Sequence, residues 1–245
     1  MKNIISLFAL VPTVLFSQVQ GPMDPTNAMN TSCPFSFSSP TDYLPANNVF
    51  TSNNVYATAS HCDCCDMNTR CLETKGYGFT IPFTATIDGI LVEVEKKGSA
   101  NSNMQDNGVM LMKAGNTIGL NYATAATWAF VDTYSSYGGA MDLWGTTWLP
   151  SDINDPNFGL AFASISYTCF GNNNPVISSI DHIRIRVYYT NIATEIEELL
   201  AENFNGDFQL FTSDGRRVEI TSGMLSPGIY ILMSPDGNAR KVVVK

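Results

Sequence analysis

The chain has 245 residues, with 13 Lys and Arg against 22 Asp and Glu, for a formal net charge of −9. That acidity repels phosphate and anionic lipid, which argues against nucleic acid and membrane surfaces as partners. Only 14% of residues are charged, and the polar remainder is rich in Asn, Ser, Thr and Gly, which suits a β-rich extracellular module better than a helical enzyme.

Residues 1–17, "MKNIISLFALVPTVLFS", combine a positive start at Lys2, an apolar run from Ile4 to Phe16 and the small Ser17. This pattern predicts a secretory signal peptide, too short and too interrupted at Pro12 for a membrane span. Gln18 is the expected first mature residue, and no cysteine follows the cut to carry a lipid anchor. No membrane span is expected in the mature chain. Residues 18–40 lack periodicity and are rich in Pro, Ser and Asn, which reads as a linker or an irregular lead-in strand.

From residue 41 to 191 strand signals follow one another. They are "NVYATA" at 54–59, "YGFTIP" at 77–82, "GILVEVEKK" at 89–97, "GVMLMKA" at 108–114, "TWAFVDTY" at 127–134, "FGLAFAS" at 158–164 and "DHIRIRVYY" at 181–189. Alternation in the last places Ile183, Ile185 and Val187 inward and His182, Arg184 and Arg186 outward. Polar, turn-rich spacers separate the runs, and no segment here sustains a helical period. The pattern predicts an all-β fold, an antiparallel, jelly-roll-like sandwich. The stretches "YGFTIPFTATIDGILVEVEKK", "YGGAMDLWGTTWLPSDINDPNFGLAF" and "IDHIRIRVYYT" also resemble a recurrent β-sandwich module of bacterial surface and phage structural proteins. That resemblance implies the fold and no particular activity.

Residues 192–245 form a connector and a second small β unit. Phe208–Phe211, Ile229–Leu232 and Val242–Val244 are short alternating runs separated by Asp214-Gly215, Pro227-Gly228 and Asp236-Gly237, which are turn signals between strands. The segments "SDGRRV", "LSPGIYIL" and "RKVVVK" resemble, in a shortened form, the C-terminal sorting domain of proteins exported by the type IX secretion system of Bacteroidota. The resemblance implies the secretion machinery as partner, and release or surface attachment after the tail is removed. Signal and tail both predict an extracellular or outer-surface location.

Four of the six cysteines lie within "HCDCCDMNTRC" at 61–71. In an oxidising compartment an even number of cysteines favours disulfides over zinc thiolates, and the spacing lacks the paired C-x-x-C of a zinc ribbon. Cys33, Cys62, Cys64, Cys65, Cys71 and Cys169 are therefore disulfide candidates. The expected pairing is a local Cys65–Cys71 bridge, with Cys33 and Cys169 tied to Cys62 and Cys64. Such a short loop constrains the unfolded chain by only about 2–2.5 kcal/mol.

The chain has no nucleophile elbow, zincin or P-loop motif. His61 and Cys62 alternate to opposite strand faces, and Glu93 and Glu95 read as a solvated charge ladder with Arg184 and Arg186 rather than a glycosidase pair. No enzyme activity and no cofactor are expected. Tyr134, Tyr137, Trp144 and Trp148 could stack on sugar rings, although the stronger reading makes them cover for the core. Asp152, Asn154, Asp155 and Asn157 offer hard oxygens that suit calcium, or an ordinary turn. The sequence thus predicts a secreted or surface-displayed, non-enzymatic structural or adhesive β-sandwich. A carbohydrate-binding module using residues 134–148 is the alternative, with a surface glycan or self-association as the partner.

Overall fold

The computed structural model describes residues 15–32, 34, 40–61, 67–100, 103–167, 176–192, 209–218, 228–233 and 239–244. The chain divides into two units, residues 17–191 and residues 1–16 with 192–245.

The larger unit begins with β1 (Leu15–Met23), β2 (Asn27–Thr31), β3 (Ala57–His61), β4 (Met67–Asn68) and β5 (Cys71–Lys75). It continues with β6 (Thr86–Gly98), β7 (Met104–Lys113), β8 (Asn116–Ile118), β9 (Thr133–Gly139), β10 (Gly159–Ser166) and β11 (Val176–Ile192). The pairing is nested and antiparallel: β3 with β11, β5 with β10, β6 with β9, and β7 with β8. Further pairing of β11 with β6 and of β10 with β7 closes two sheets. They run β3-β11-β6-β9 and β5-β10-β7-β8, the strand order of a jelly roll. β1 shares the β11 edge with β3, β2 pairs outside β5, and β4 shares the β10 edge with β5.

Period-two alternation produces the core. Ile90, Val92 and Val94 on β6 and Ile183, Ile185 and Val187 on β11 are fully buried, with Val92 opposite Ile185 in the register. Across from them the second sheet contributes Leu72, Leu111, Leu160 and Phe162. Each such aliphatic side chain contributes roughly 1.5–3 kcal/mol on burial. β10 is buried on both faces, because Ala161 and Ala163 pack with Cys71 and Met112 in a separate cluster. This explains why its sequence is continuously apolar rather than alternating.

Several strand expectations shift. Residues 18–40 supply β2 and most of β1, which favours the lead-in strand over the linker, and β1 starts upstream of the expected cut before Gln18. "NVYATA" yields a strand only from Ala57 onward. "YGFTIP" is not a strand, although Tyr77, Phe79 and Ile81 are buried alternately. Gly76 and Gly78 take positive φ there, and side-chain amides replace the ladder: Asn154 bonds both backbone groups of Ile81, and Gln20 bonds Thr80. In "TWAFVDTY" only Thr133 and Tyr134 are in a strand, because β9 continues to Gly139. Trp128 instead anchors a long connection, its N–H donating to the Met104 carbonyl at 2.8 Å.

The smaller unit contains β12 (Gln209–Thr212), β13 (Arg217–Val218), β14 (Gly228–Met233) and β15 (Ala239–Val244). They form one antiparallel sheet in the order β13-β12-β14-β15. Gly215, at φ +85°, closes the turn between β12 and β13, its N–H donating to the Thr212 carbonyl at 2.9 Å. Among its described residues, Leu210, Tyr230 and Leu232 are buried apolar ones. Among the described residues no helix is long and apolar enough to cross a membrane.

Candidate functional site

Three of the four aromatic candidates lie in the interior. Tyr137, Trp144 and Trp148 are all buried. The Trp144 indole donates to the Ile90 carbonyl at 2.9 Å and lies 4.4 Å from the Tyr122 ring. Trp148 donates to the Leu143 carbonyl and packs edge-on to Phe158. Tyr134 is half-buried, with the Arg184 guanidinium 4.2 Å from its ring centre. A sugar platform needs exposed faces, and three of the four named rings have none. The sandwich fills its interior with them instead.

Several side-chain oxygens of residues 152–157 bond local partners. Asp152 accepts the Leu149 N–H at 2.8 Å and pairs with Lys113 at 2.6 Å. The Asn154 amide is bonded to Ile81 through both of its polar atoms, and Asp155 accepts the Asn157 backbone N–H at 2.7 Å. Asp152 Oδ2, the Asn154 amide and Asp155 Oδ1 thus take part in a capped turn, which is the ordinary role of such Asx-rich segments.

Cys71 is disulfide-bonded and buried on β5. Cys33, Cys62, Cys64, Cys65 and Cys169 lie outside the described residues, and with them the expected pairing. Thr31 pairs with Cys71, and Met67 pairs with Ser166. His61 is buried on β3, with its Nε2 3.1 Å from the Ser178 hydroxyl.

The expected charge ladder reduces to one rung. Glu93 and Arg184 are directly opposite and bidentate, at 2.9 and 3.2 Å, whereas Arg186 faces Leu91. His182, expected to face solvent, is buried. Asp24 and Tyr134 hold its two ring nitrogens at 2.9 and 2.8 Å, and Phe50 bridges to its backbone. The segments around residues 24 and 50 thus cover this outer face.

Beside that rung, Glu95, Asp132 and Asp181 bring one carboxylate oxygen each within 4.8 Å of one another. Asp181 accepts the backbone N–H groups of Asn53 and Asn54, at 3.1 and 3.0 Å, and Asp132 accepts the Tyr56 hydroxyl at 2.8 Å. Glu95 Oε2 and Asp132 Oδ1 are buried with no hydrogen-bond partner. Burial, followed by the neighbouring Glu95 and Asp181 charges, raises the Asp132 carboxyl above its usual range, against the pull of the Tyr56 hydrogen bond. These are the residues whose hard oxygens match the donor chemistry of a divalent cation. Sequence reading missed the trio because it joins three distant segments.

The second cluster lies inside the sandwich. Lys96 continues the inward row of Ile90, Val92 and Val94 on β6, and its ammonium forms an ion pair with Asp106 of β7. The two side chains are 5% and 0% exposed. Asp106 Oδ1 also accepts the Trp128 indole N–H at 2.9 Å. Oδ2 accepts the Tyr137 hydroxyl at 3.0 Å and the Thr124 hydroxyl and N–H at 3.1 and 3.3 Å. Lys96 Nζ lies 4.5, 5.2 and 5.4 Å from the rings of Trp128, Tyr137 and Phe162. Burial lowers the lysine's pKa, partly offset by Asp106, and burial beside Asp106 raises that of the Tyr137 phenol. An inward lysine was readable from strict alternation, but lysine at a strand end normally reaches solvent.

No protein-family model, curated protein or solved structure matches the chain.

Proposed function

We propose that this chain is a secreted or surface-displayed structural or adhesive protein without enzymatic activity. In this reading the signal peptide spans residues 1–17, residues 192–245 engage the type IX secretion machinery, and the jelly roll is the delivered module. The placement of the aromatic segment carries the structural part. Tyr137, Trp144 and Trp148 brace the sheets from within, so the groups best suited to grip a ligand serve packing instead. The export part rests on the apolar leader and on the "SDGRRV", "LSPGIYIL" and "RKVVVK" segments. Adhesion of wild-type and gene-deleted cells to surfaces and to each other, with a glycan array on the purified protein, tests the reading. Reduced adhesion with a blank array supports it. Saturable glycan binding lost on Tyr134→Ala would favour the carbohydrate-binding alternative.

A further inference from the structure

We propose that Lys96 and Asp106 condense into an intramolecular amide that joins the two sheets through the core. The inference rests on the buried cluster alone and is independent of the export reading. Four observations point to it. The pair is the reactive combination of an amine and a carboxyl group. It is held in contact on neighbouring strands that belong to opposite sheets. Bulk water is kept out by Trp128, Tyr137 and Phe162, all buried. Asp106 Oδ2 receives three donors, from Tyr137 and twice from Thr124, an arrangement that stabilises negative charge on a carbonyl oxygen under attack.

Lys96 Nζ hydrogen-bonds Oδ1, which sets the amine beside the carboxyl carbon it would attack, the kind of held proximity that speeds a reaction between neighbours. The ammonium gives one proton to Oδ1, leaving a neutral amine and a carboxylic acid; burial weakens the lysine's hold on that proton. The nitrogen lone pair forms the N–Cγ bond, and charge collects on Oδ2 among its three donors. A second proton passes from nitrogen to Oδ1, the Cγ–Oδ1 bond breaks, and water leaves. One ammonium and one carboxylate become one amide and one water, with no oxidant, reductant or further reactant. The product removes two buried charges, and its N–H and C=O remain beside the donors and rings that held the ion pair.

The consequence is mechanical. β6 and β7 are consecutive strands in different sheets, so the amide would resist sliding of one sheet over the other. The test is mass spectrometry of the purified full chain after reduction, alkylation and unfolding, with both ends defined by peptide mapping. The expected mass is one water below that of the mapped sequence. Trypsin should fail to cut after Lys96, and fragmentation should show a peptide branched between Lys96 and Asp106. Lys96→Arg, whose guanidinium stays protonated, should restore the full mass and separate the peptides. A wild-type chain wholly at the full mass with cleavage after Lys96, or a water loss that persists in Lys96→Arg, overturns the proposal. The wild-type measurement decides the matter even if the variant does not fold.

Discussion

Trp144 offers the sharpest test of whether the aromatic segment braces the fold. Its side chain is 0% exposed, its indole N–H satisfies the Ile90 carbonyl, and it packs against Tyr122. A Cβ on Gly138, which sits at φ +74°, would stand 2.5 Å from its Nε1. Replacement of Trp144 by Ala removes the whole indole from a closed site, for which the loss is about 3–5 kcal/mol. Trp144→Phe retains a ring but leaves the buried Ile90 carbonyl without its donor, for about 1–3 kcal/mol. The three tryptophans, Trp128, Trp144 and Trp148, all belong to the larger unit, so urea unfolding followed by the remaining indole fluorescence reports on the sandwich alone. The expected order of stability is wild type, then Phe, then Ala. Losses below about 0.5 kcal/mol for both variants, the range of surface substitutions, would refute the bracing role.

Alkaline pH should weaken the sandwich through Tyr43, whose phenol is raised to about 12, chiefly by burial. A raised folded-state pKa gives stability that is full below the unfolded value near 10 and lost as pH rises through about 12, on the order of 3 kcal/mol for this group. Fluorescence-monitored unfolding at stepped pH should show that loss, and Tyr43→Phe should reduce it by this group's share while Tyr77, Tyr122 and Tyr137, raised likewise, keep a residual slope; an equal slope in the variant would contradict the assignment. Ile185→Asp, at a fully buried site, should prevent folding as judged by circular dichroism, whereas Arg184→Ser loses one partly buried ion pair with Glu93 and should cost about 1 kcal/mol. Tolerance of both would show that the inward row is misassigned. Asn154→Ala should cost about 1–3 kcal/mol by orphaning Ile81, and the deficit should not respond to added calcium; rescue by calcium would return residues 152–157 to a metal role. Limited proteolysis should separate the two units near Asn191 and leave a fragment with all three tryptophans, and a chain that resists cutting there would argue against separable units.

Much of the architecture was legible because alternation is a local signal. "GILVEVEKK" and "DHIRIRVYY" carry their burial pattern in the residues themselves, and the register that pairs Val92 with Ile185 follows from matching inward rows. The strand limits of "YGFTIP" and "TWAFVDTY" were less legible, since apolar residues can alternate inward without a ladder. At Ile81 the missing partners come from an Asn side chain 73 positions away, which no window of sequence contains. The same limit hid the candidate clusters. His182 looked outward until Asp24 and Tyr134 closed over it. Glu95, Asp132 and Asp181 meet only because β11 lies beside β6 and the chain leading into β9 ends near them. Lys96 was in plain register, but the usual habits of lysine argued for solvent, and only its meeting with Asp106 makes the inward position tolerable.

In the proposed function the jelly roll is delivered outside the cell by removable ends. Mass-spectrometric mapping of both termini, on protein recovered separately from culture supernatant, cell surface and cell interior, tests it most directly. The account predicts a surface or supernatant species that begins near Gln18 and lacks the β12–β15 segment, with the full-length tail confined to the cell. A chain found only inside the cell, or an external chain that keeps both Lys2 and the "RKVVVK" end, would contradict it.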